Sequence, residues 1–280
     1  MRIVTRPDFD GVVCAVLISD ALDIHLPVQW LEPKAFQRRL ADIRAGDIVA
    51  NLPFHPNCEL WFDHHATNTA DRPFQGLFWE APSAASLVLE YFKPRLKRDY
   101  TELVHWADRV DSADFTQGMV LHPEKHDYVL LSMTVSGEDG DGEPYWNRLV
   151  ALLREKSIRE VMADPEVAER CRTVVEQNAR YADVLEAHTR IEQHVSITDL
   201  RGLDDPPSGN RFLVYCMFPE TVVNVRIRYE SPNKDTVVVN IGHSIFNPHC
   251  NVHVGKLLAD FEGGGHRGAA SARFDVNKMN

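Results

Sequence analysis

Residues 2–22 read RIVTRPDFDGVVCAVLISDAL, and this stretch sets the fold class. Arg2 to Thr5 is a short β-prone run. Pro7 ends it, because proline has no N–H to give a ladder. Asp8-Phe9-Asp10-Gly11 follows. From Val12 to Leu22, the apolar residues Val12, Val13, Ala15, Val16 and Leu17 surround a helix, which marks it as buried. Strand, turn and helix in this order open a βαβ unit. Working outward, Ile48-Val49-Ala50 and Leu60-Trp61-Phe62 read as two more short strands. Pro82-Ser83 caps a helix over Ala84 to Tyr91, and Pro94 ends it. Strands alternating with helices predict an α/β lobe with a mostly parallel sheet.

Further on the pattern changes. Residues 147–193 are long, charged and poor in glycine and proline, and they read as helix throughout. Asp204-Asp205-Pro206-Pro207-Ser208-Gly209-Asn210 is a loop. Phe212 to Phe218, Val223 to Tyr229 and Thr236 to Ile241 are rich in β-branched and aromatic residues and read as strands. A short helix, Val252 to Phe261, precedes Gly263-Gly264-Gly265-His266, and a last strand lies near Ala272 to Val276. The expected organisation is a first lobe over 1–170, a helical linker over 171–194, and a smaller α/β lobe over 195–280.

Composition narrows the function. Of the 280 residues, 44% are hydrophobic and 25% charged, the balance of a globular chain. No apolar run reaches the roughly 18 residues of a membrane helix, and the N-terminus lacks a signal-peptide core. The expectation is a cytoplasmic protein with no membrane partner. The five cysteines are scattered without C-x-x-C spacing, which argues against a disulfide framework or a zinc knuckle. The net charge of −11 falls wholly on residues 1–194, with 32 acids against 21 bases. An acidic lobe does not suit a protein that coats long duplex nucleic acid, which wants a basic stripe. It suits divalent cations, or simply a soluble surface.

Three clusters carry chemistry. Asp8-x-Asp10-Gly11 sits at a strand-to-helix turn, where open α/β sheets bind ligands. Its carboxylates suit hard ions such as Mg²⁺ or Mn²⁺, although an Asp before a helix also serves as an N-cap. Asp63-His64-His65 follows a strand directly, and imidazole beside carboxylate suits Mn²⁺, Fe²⁺ or Zn²⁺. The other reading is a hydrogen-bonded turn. Gly263-Gly264-Gly265-His266-Arg267-Gly268-Ala269-Ala270-Ser271 lets backbone N–H groups approach an anion. His266 and Arg267 add donors, and Gly268, Ala269 and Ala270 permit close packing at a helix start. A flexible loop is the alternative.

PDFDG at 7–11, DHH at 63–65 and GGGHRGAAS at 263–271 together resemble the DHH phosphoesterase superfamily, and the GGGH element marks its DHHA1 subgroup. Residues 242–266 are most similar to its exopolyphosphatase-like or nanoRNase branch. The resemblance implies a metal-binding DHH domain and a substrate-binding DHHA1 domain with the active cleft between them. It implies Mn²⁺ or Mg²⁺, one or two ions. Asp8, Asp10 and His64 would be metal ligands. Asp10 also joins His65 and Asp63 in the catalytic set, with His65 on the scissile phosphate and Asp63 orienting the turn. Asp108 would complete the metal set, with Asp111 as the fallback three residues on. Gly263, Gly264, Gly265, His266, Arg267, His243 and Ser244 would bind substrate.

Two positions depart from the family pattern H-x-x-P-D-x-D and its bridging Asp. Val4 stands at the His position and Asn51 at the Asp position. Val4 has no ligand atom, and Asn51 offers a neutral oxygen. His55 is a candidate replacement ligand, and Arg6 a source of positive charge where a metal is absent. The implied function is a divalent-metal-dependent phosphohydrolase acting on small phosphoesters: short oligonucleotides, a nucleoside bisphosphate or short polyphosphate. The alternative is a degenerate homologue that binds nucleotide or phosphate without hydrolysis. The resemblance leaves a homodimer open.

Overall fold

The computed structural model describes residues 1–25, 27–37, 40–136 and 142–276. Two compact units divide them: residues 1–114 with 124–171, and residues 115–123 with 172–280. Among the described residues, no helix is long and apolar enough to cross a membrane.

The first unit has five described strands: β1 (Ile3–Thr5), β2 (Gln29–Trp30), β3 (Ile48–Ala50), β4 (Leu60–Asp63) and β5 (Gly76–Phe78). They form one parallel sheet in the order β2-β1-β3-β4-β5. Helices α1 (Phe9–Leu22), α2 (Pro33–Gln37), α3 (Ala84–Phe92) and α4 (Thr101–Asp111) accompany it. Every residue of α1 from Phe9 to Asp20 is buried, as its all-round apolar sequence requires. α3 begins at Ser83, whose hydroxyl accepts from the N–H of Ser86, as the Pro-Ser signal predicts. On one side of the sheet Val4, Val49, Leu52 and Trp61 form an apolar cluster, and Trp61 donates its indole N–H to the Leu52 carbonyl at 2.9 Å.

Both β1-to-β3 and β3-to-β4 registers are aligned, with Thr5 beside Ala50 and Ala50 beside Phe62. The carboxyl ends of three neighbouring strands therefore lie side by side. The strand order reverses between β1 and β3, and ligands of open α/β sheets bind at such a reversal.

The remaining helices are α5 (Gln117–Leu121), α6 (Asp127–Ser132), α7 (Glu143–Glu155), α8 (Ile158–Met162) and α9 (Pro165–His188). The expected helix over 147–193 is thus several helices, and it stops early. Thr189–Glu192 is strand β6, drawn into pairing with β7 (Val195–Asp199) through a two-residue turn. Helix α10 (Leu213–Met217), strands β8 (Val223–Tyr229) and β9 (Thr236–His243), helix α11 (Val254–Ala259), and strands β10 (Gly264–Gly265) and β11 (Ala269–Asp275) complete the second unit. Its sheet runs β10-β11-β9-β8-β7-β6.

Two expectations fail here. Phe212 to Phe218 is helical, not a strand: Asn210 accepts from the Phe212 N–H, and Leu213, Val214 and Tyr215 pack on Tyr181 and Leu185 of α9. Tertiary packing outweighs β propensity there. Gly268 to Ala270 do not open a helix: Ala269 and Ala270 begin β11, paired along its whole length with β9. The architecture is α/β, a parallel-sheet unit plus a second mixed sheet with helices, as the sequence predicts for a DHH domain joined to a DHHA1 domain.

Candidate metal centre

Asp10 lies in the first turn of α1 and is almost fully buried. Its carboxylate faces the N-terminus of α3, accepting from the N–H groups of Ala84 at 3.0 Å and Ala85 at 2.8 Å. A helix N-terminus stabilises an anion in this way. Burial nevertheless pushes the Asp10 carboxyl well above the usual carboxylate range. The charges of Asp111 and Asp8 add to the effect, and the two N–H groups oppose it.

His64 follows β4 and is nine-tenths buried, with 9% exposure. Its Nδ1 lies 3.0 Å from the Ala81 carbonyl. A carbonyl only accepts, so Nδ1 donates to it, and in the matching neutral tautomer Nε2 is the nitrogen that offers a lone pair to a ligand. Nε2 is buried and has no hydrogen-bond partner among the described residues. It points at two carboxylates: Asp111 Oδ2 at 3.4 Å and Asp10 Oδ2 at 3.9 Å. Ligand atoms from Asp10, His64 and Asp111 all lie within 4.8 Å of one another. Ligands about 2.1 Å from one ion stand no more than about 4.2 Å apart, so a small closure would bring the set to a divalent cation. Two carboxylates, an orphaned imidazole nitrogen and a carbonyl that fixes its tautomer fit such an ion chemically.

Of the two α4 carboxylates, the structure brings Asp111 to His64. Asp108 turns its Oδ1 elsewhere, accepting from the hydroxyls of Ser83 and Ser86, each at 2.5 Å. Asp63 is fully buried at the end of β4. Its Oδ1 meets His65 Nδ1 at 2.8 Å and its Oδ2 accepts from the Asn68 amide at 2.5 Å. The Asp63 hydrogen bond, against partial burial, raises the His65 pKa above its ordinary value. Asp63, His64 and His65 also bring their ligand atoms within 4.8 Å of one another. Asp63 is already committed within that group.

Asp8 is the N-cap of α1, and its Oδ1 accepts from the Gly11 N–H at 2.8 Å. The same oxygen accepts from the Asn51 amide at 2.9 Å, and Oδ2 pairs with Arg6 Nε at 3.2 Å. Lost hydration, partly offset by Arg6 and the Gly11 N–H, pushes the Asp8 carboxyl up to about 6. Asn51 is buried with φ of 54°, a left-handed conformation that asparagine tolerates well. Val4 is fully buried in the apolar cluster beside the sheet. His55 Nδ1 accepts from the Asn57 N–H at 3.3 Å, and its ring meets Phe36 edge-on.

In the second unit, Gly264 and Gly265 pair with Ser271 and Ala270. The Gly263 N–H goes to the Leu258 carbonyl and the His266 N–H to the Ala269 carbonyl, each at 2.8 Å. Much of the glycine run is thus a hairpin. Gly265 has φ of 151° and an added Cβ would meet the Ala269 oxygen at 2.3 Å, so this position requires glycine. His266 and Arg267 are exposed. Ser244 is buried, and its hydroxyl oxygen accepts from the N–H groups of Phe246 and Asn247. His243 Nε2 is buried with no partner among the described residues.

Sequence reading missed the backbone of this site: the Ala81 carbonyl and the Ala84 and Ala85 N–H groups. No residue type announces them. The one signal was the Pro82-Ser83 cap, which places a helix N-terminus at that point.

No family model matches the sequence, and no curated protein does. Solved structures do. The pGpG-specific phosphodiesterase PggH of Vibrio cholerae superposes with a TM-score of 0.85 at 28% identity, over 99% of this chain and 94% of that one. RecJ of Thermus thermophilus in complex with Mn²⁺ gives 0.59 at 14% identity, over 99% of this chain and 50% of RecJ. Its Mg²⁺ complex gives 0.56 at 14% identity, over 99% and 47%. The RecJ likeness is one of fold, and the chain spans about half of RecJ's length. The ordered motifs and a match to the phosphodiesterase across nearly the whole of both chains bear out the resemblance to the DHH/DHHA1 phosphoesterase superfamily.

Proposed function

We propose that the protein is a divalent-metal-dependent phosphohydrolase of small phosphoesters, with a linear dinucleotide such as pGpG as its leading substrate. The observation that carries this reading is the bare, buried Nε2 of His64 aimed at the carboxylates of Asp10 and Asp111. The likeness to a pGpG-specific phosphodiesterase supports the substrate class.

Asp10, His64 and Asp111 would hold Mn²⁺ or Mg²⁺. Such an ion neutralises phosphoryl oxygens and makes water a better nucleophile at neutral pH. The chain's own residues do the rest. Asp63 holds the His65 ring by Nδ1, which presents the other nitrogen as a donor. The raised pKa of His65 keeps it protonated to higher pH, suited to charge developing on the phosphoryl group. Hydrolysis breaks the P–O bond to the leaving sugar hydroxyl as water oxygen bonds to phosphorus, and the leaving oxygen takes up a proton. We assign recognition of the rest of the substrate to the second unit, to Gly263, Gly264, Gly265, His266, Arg267, His243 and Ser244.

The purified protein with Mn²⁺ should convert pGpG to mononucleotides. Other dinucleotides, 3′-phosphoadenosine 5′-phosphate and short polyphosphate, tested in parallel, define the substrate range. Absence of turnover on all of them by folded, metal-loaded protein would overturn hydrolysis. A second reading, a nucleotide-binding protein without hydrolysis, draws on Val4 and on Asn51, the latter engaging Asp8 as a donor. Calorimetric binding of pGpG without product would support it.

A further inference from the structure

We propose that this chain holds a single catalytic-site cation, and that the Arg6 guanidinium is the built-in counter-charge that takes Asp8 out of metal binding. The inference rests on the metal centre described above, and it is independent of the substrate.

The case is one of charge and lone pairs. Five carboxylates gather at the carboxyl ends of the strands and on α4. Asp63 has His65 and Asn68 as partners. Asp108 has the hydroxyls of Ser83 and Ser86. Asp8 has two N–H donors on Oδ1, from Gly11 and Asn51, and the Arg6 guanidinium on Oδ2. Asp10 accepts from the N–H groups of Ala84 and Ala85, but among the described residues neither it nor Asp111 has an arginine or lysine partner. They carry two negative charges around the unpartnered nitrogen of His64, and one divalent ion balances them.

Asp8 has no such need. Its single charge is matched by the single charge of Arg6, and an ion would have to displace the guanidinium to reach Oδ2. Arg6 is well placed to stay. Its carbonyl accepts from the Asp8 N–H at 2.9 Å, and its Nε also lies 3.8 Å from Glu32. Asn51 brings no charge to a second ion: it has one neutral oxygen, Oδ1, which is buried with no hydrogen-bond partner among the described residues. Its amide N–H is turned toward Asp8, and turning it over would set the amide oxygen against the carboxylate, two acceptors facing each other. An amide N–H between an ion and a carboxylate repels the ion. Val4, on the neighbouring strand, is packed among Val49, Leu52 and Trp61 and brings no ligand atom.

This arrangement predicts how to restore a second site. Arg6→Ala removes one positive charge, and Asn51→Asp adds one negative charge beside Asp8. Together they leave two adjacent carboxylates without a counter-ion, the condition that already exists at Asp10 and Asp111.

The experiment counts ions. Protein stripped with chelator, reloaded with Mn²⁺ and passed through a desalting column is analysed by elemental mass spectrometry. Crystals grown in Mn²⁺ are measured at the manganese edge. The wild-type protein should carry one ion per chain, with its anomalous peak among Asp10, His64 and Asp111. Arg6→Ala/Asn51→Asp should carry two, with the new peak between Asp8 and residue 51. Two ions in the wild type, with a peak on Asp8, would overturn the inference. So would a double variant that folds, by circular dichroism, and still carries one. No ion in either protein would sink the metal centre itself. One ion without turnover would sink hydrolysis and leave this inference standing. If the double variant fails to fold, the wild-type count and peak position decide alone.

Discussion

Asp63 and His65 are joined by a 2.8 Å hydrogen bond from a fully buried carboxylate to a part-exposed ring. The buried member cannot move, since the Asn68 amide holds its other oxygen. Asp63 therefore fixes which His65 nitrogen is presented outward and keeps the ring charged to higher pH. Asp63→Asn should lower kcat by roughly 10–100-fold, the usual cost of losing a carboxylate that orients a functional histidine. The pH profile separates this from a merely structural role. A raised histidine pKa keeps the charged form present at low pH and loses it as pH rises through the folded value. Activity should therefore fall on the alkaline side above about 6.5, and Asp63→Asn should move that limb to lower pH. An unmoved limb would mean that His65 does not act as a charged donor.

Metal binding has its own readout in thermal stability. A ligand that binds only the folded state at about 100 times its Kd adds about 2.7 kcal/mol. Mn²⁺ should raise the melting temperature of the wild-type protein, and His64→Ala and Asp111→Ala should abolish the rise. Asp108→Ala is the informative control. Its carboxylate is engaged by Ser83 and Ser86, so this variant should lose stability yet keep the Mn²⁺-dependent increment. Loss of the increment in Asp108→Ala, with retention in Asp111→Ala, would reassign the ligand.

That contrast shows where sequence runs out. Asp108 and Asp111 are three residues apart, so any helical reading puts them on one face. Which one meets His64 depends on where α3 places its two serines, and that is set by packing. The strand-turn-helix opening was legible because Pro7 ends the strand and the helix is apolar all round. Strands β2 and β5, of two and three residues, are too short to show a period. Thr189–Glu192 continues a charged helical run, and only its partner strand makes it β. Phe212 to Phe218 has strand composition, and its helix comes from contacts with Tyr181 and Leu185. The identity of the chemical groups was readable. Their donors and acceptors, largely backbone atoms at the ends of elements, were not.

Gly11 tests how tightly the first turn is built. A Cβ there would lie 1.9 Å from the Arg6 carbonyl oxygen and 2.9 Å from Thr5 Oγ1. Neither neighbour is a flexible side-chain end, so the strand and helix must separate. Gly11→Ala should cost at least about 3 kcal/mol, the scale of severe overpacking, seen as a lower midpoint in urea. It should also weaken Mn²⁺ binding, because Asp8, Arg6 and Asp10 all hang from this turn. A stable variant with unchanged metal affinity would show that the turn has room that its geometry denies.

Arg2 and Asp47 provide a stability test away from the site. Arg2 donates from Nε to Asp47 Oδ1 at 2.9 Å and from Nη2 to Oδ2 at 2.6 Å, and the Arg44 N–H adds a third bond at 2.8 Å. The pair ties the strand entering β1 to the turn before β3. Burial alone would raise the Asp47 carboxyl, but the Arg2 bond and the Arg44 N–H outweigh it and hold the pKa below the usual range. A carboxylate depressed in the folded state contributes stability above its unfolded pKa, about 3.9, and that contribution is lost as pH falls through the folded value. At pH 7, Arg2→Ala leaves a buried charge with one N–H donor and should cost about 2–3 kcal/mol, below the range for a fully buried pair because Arg2 is partly exposed. In the variant, burial dominates and the Asp47 pKa rises, so protonation relieves the penalty. The difference between wild type and variant should therefore shrink as pH is lowered from 7 toward 3 in urea titrations. A gap that stays constant across that range would mean that Arg2 stabilises the strand by packing its stem, with no contribution from its charge.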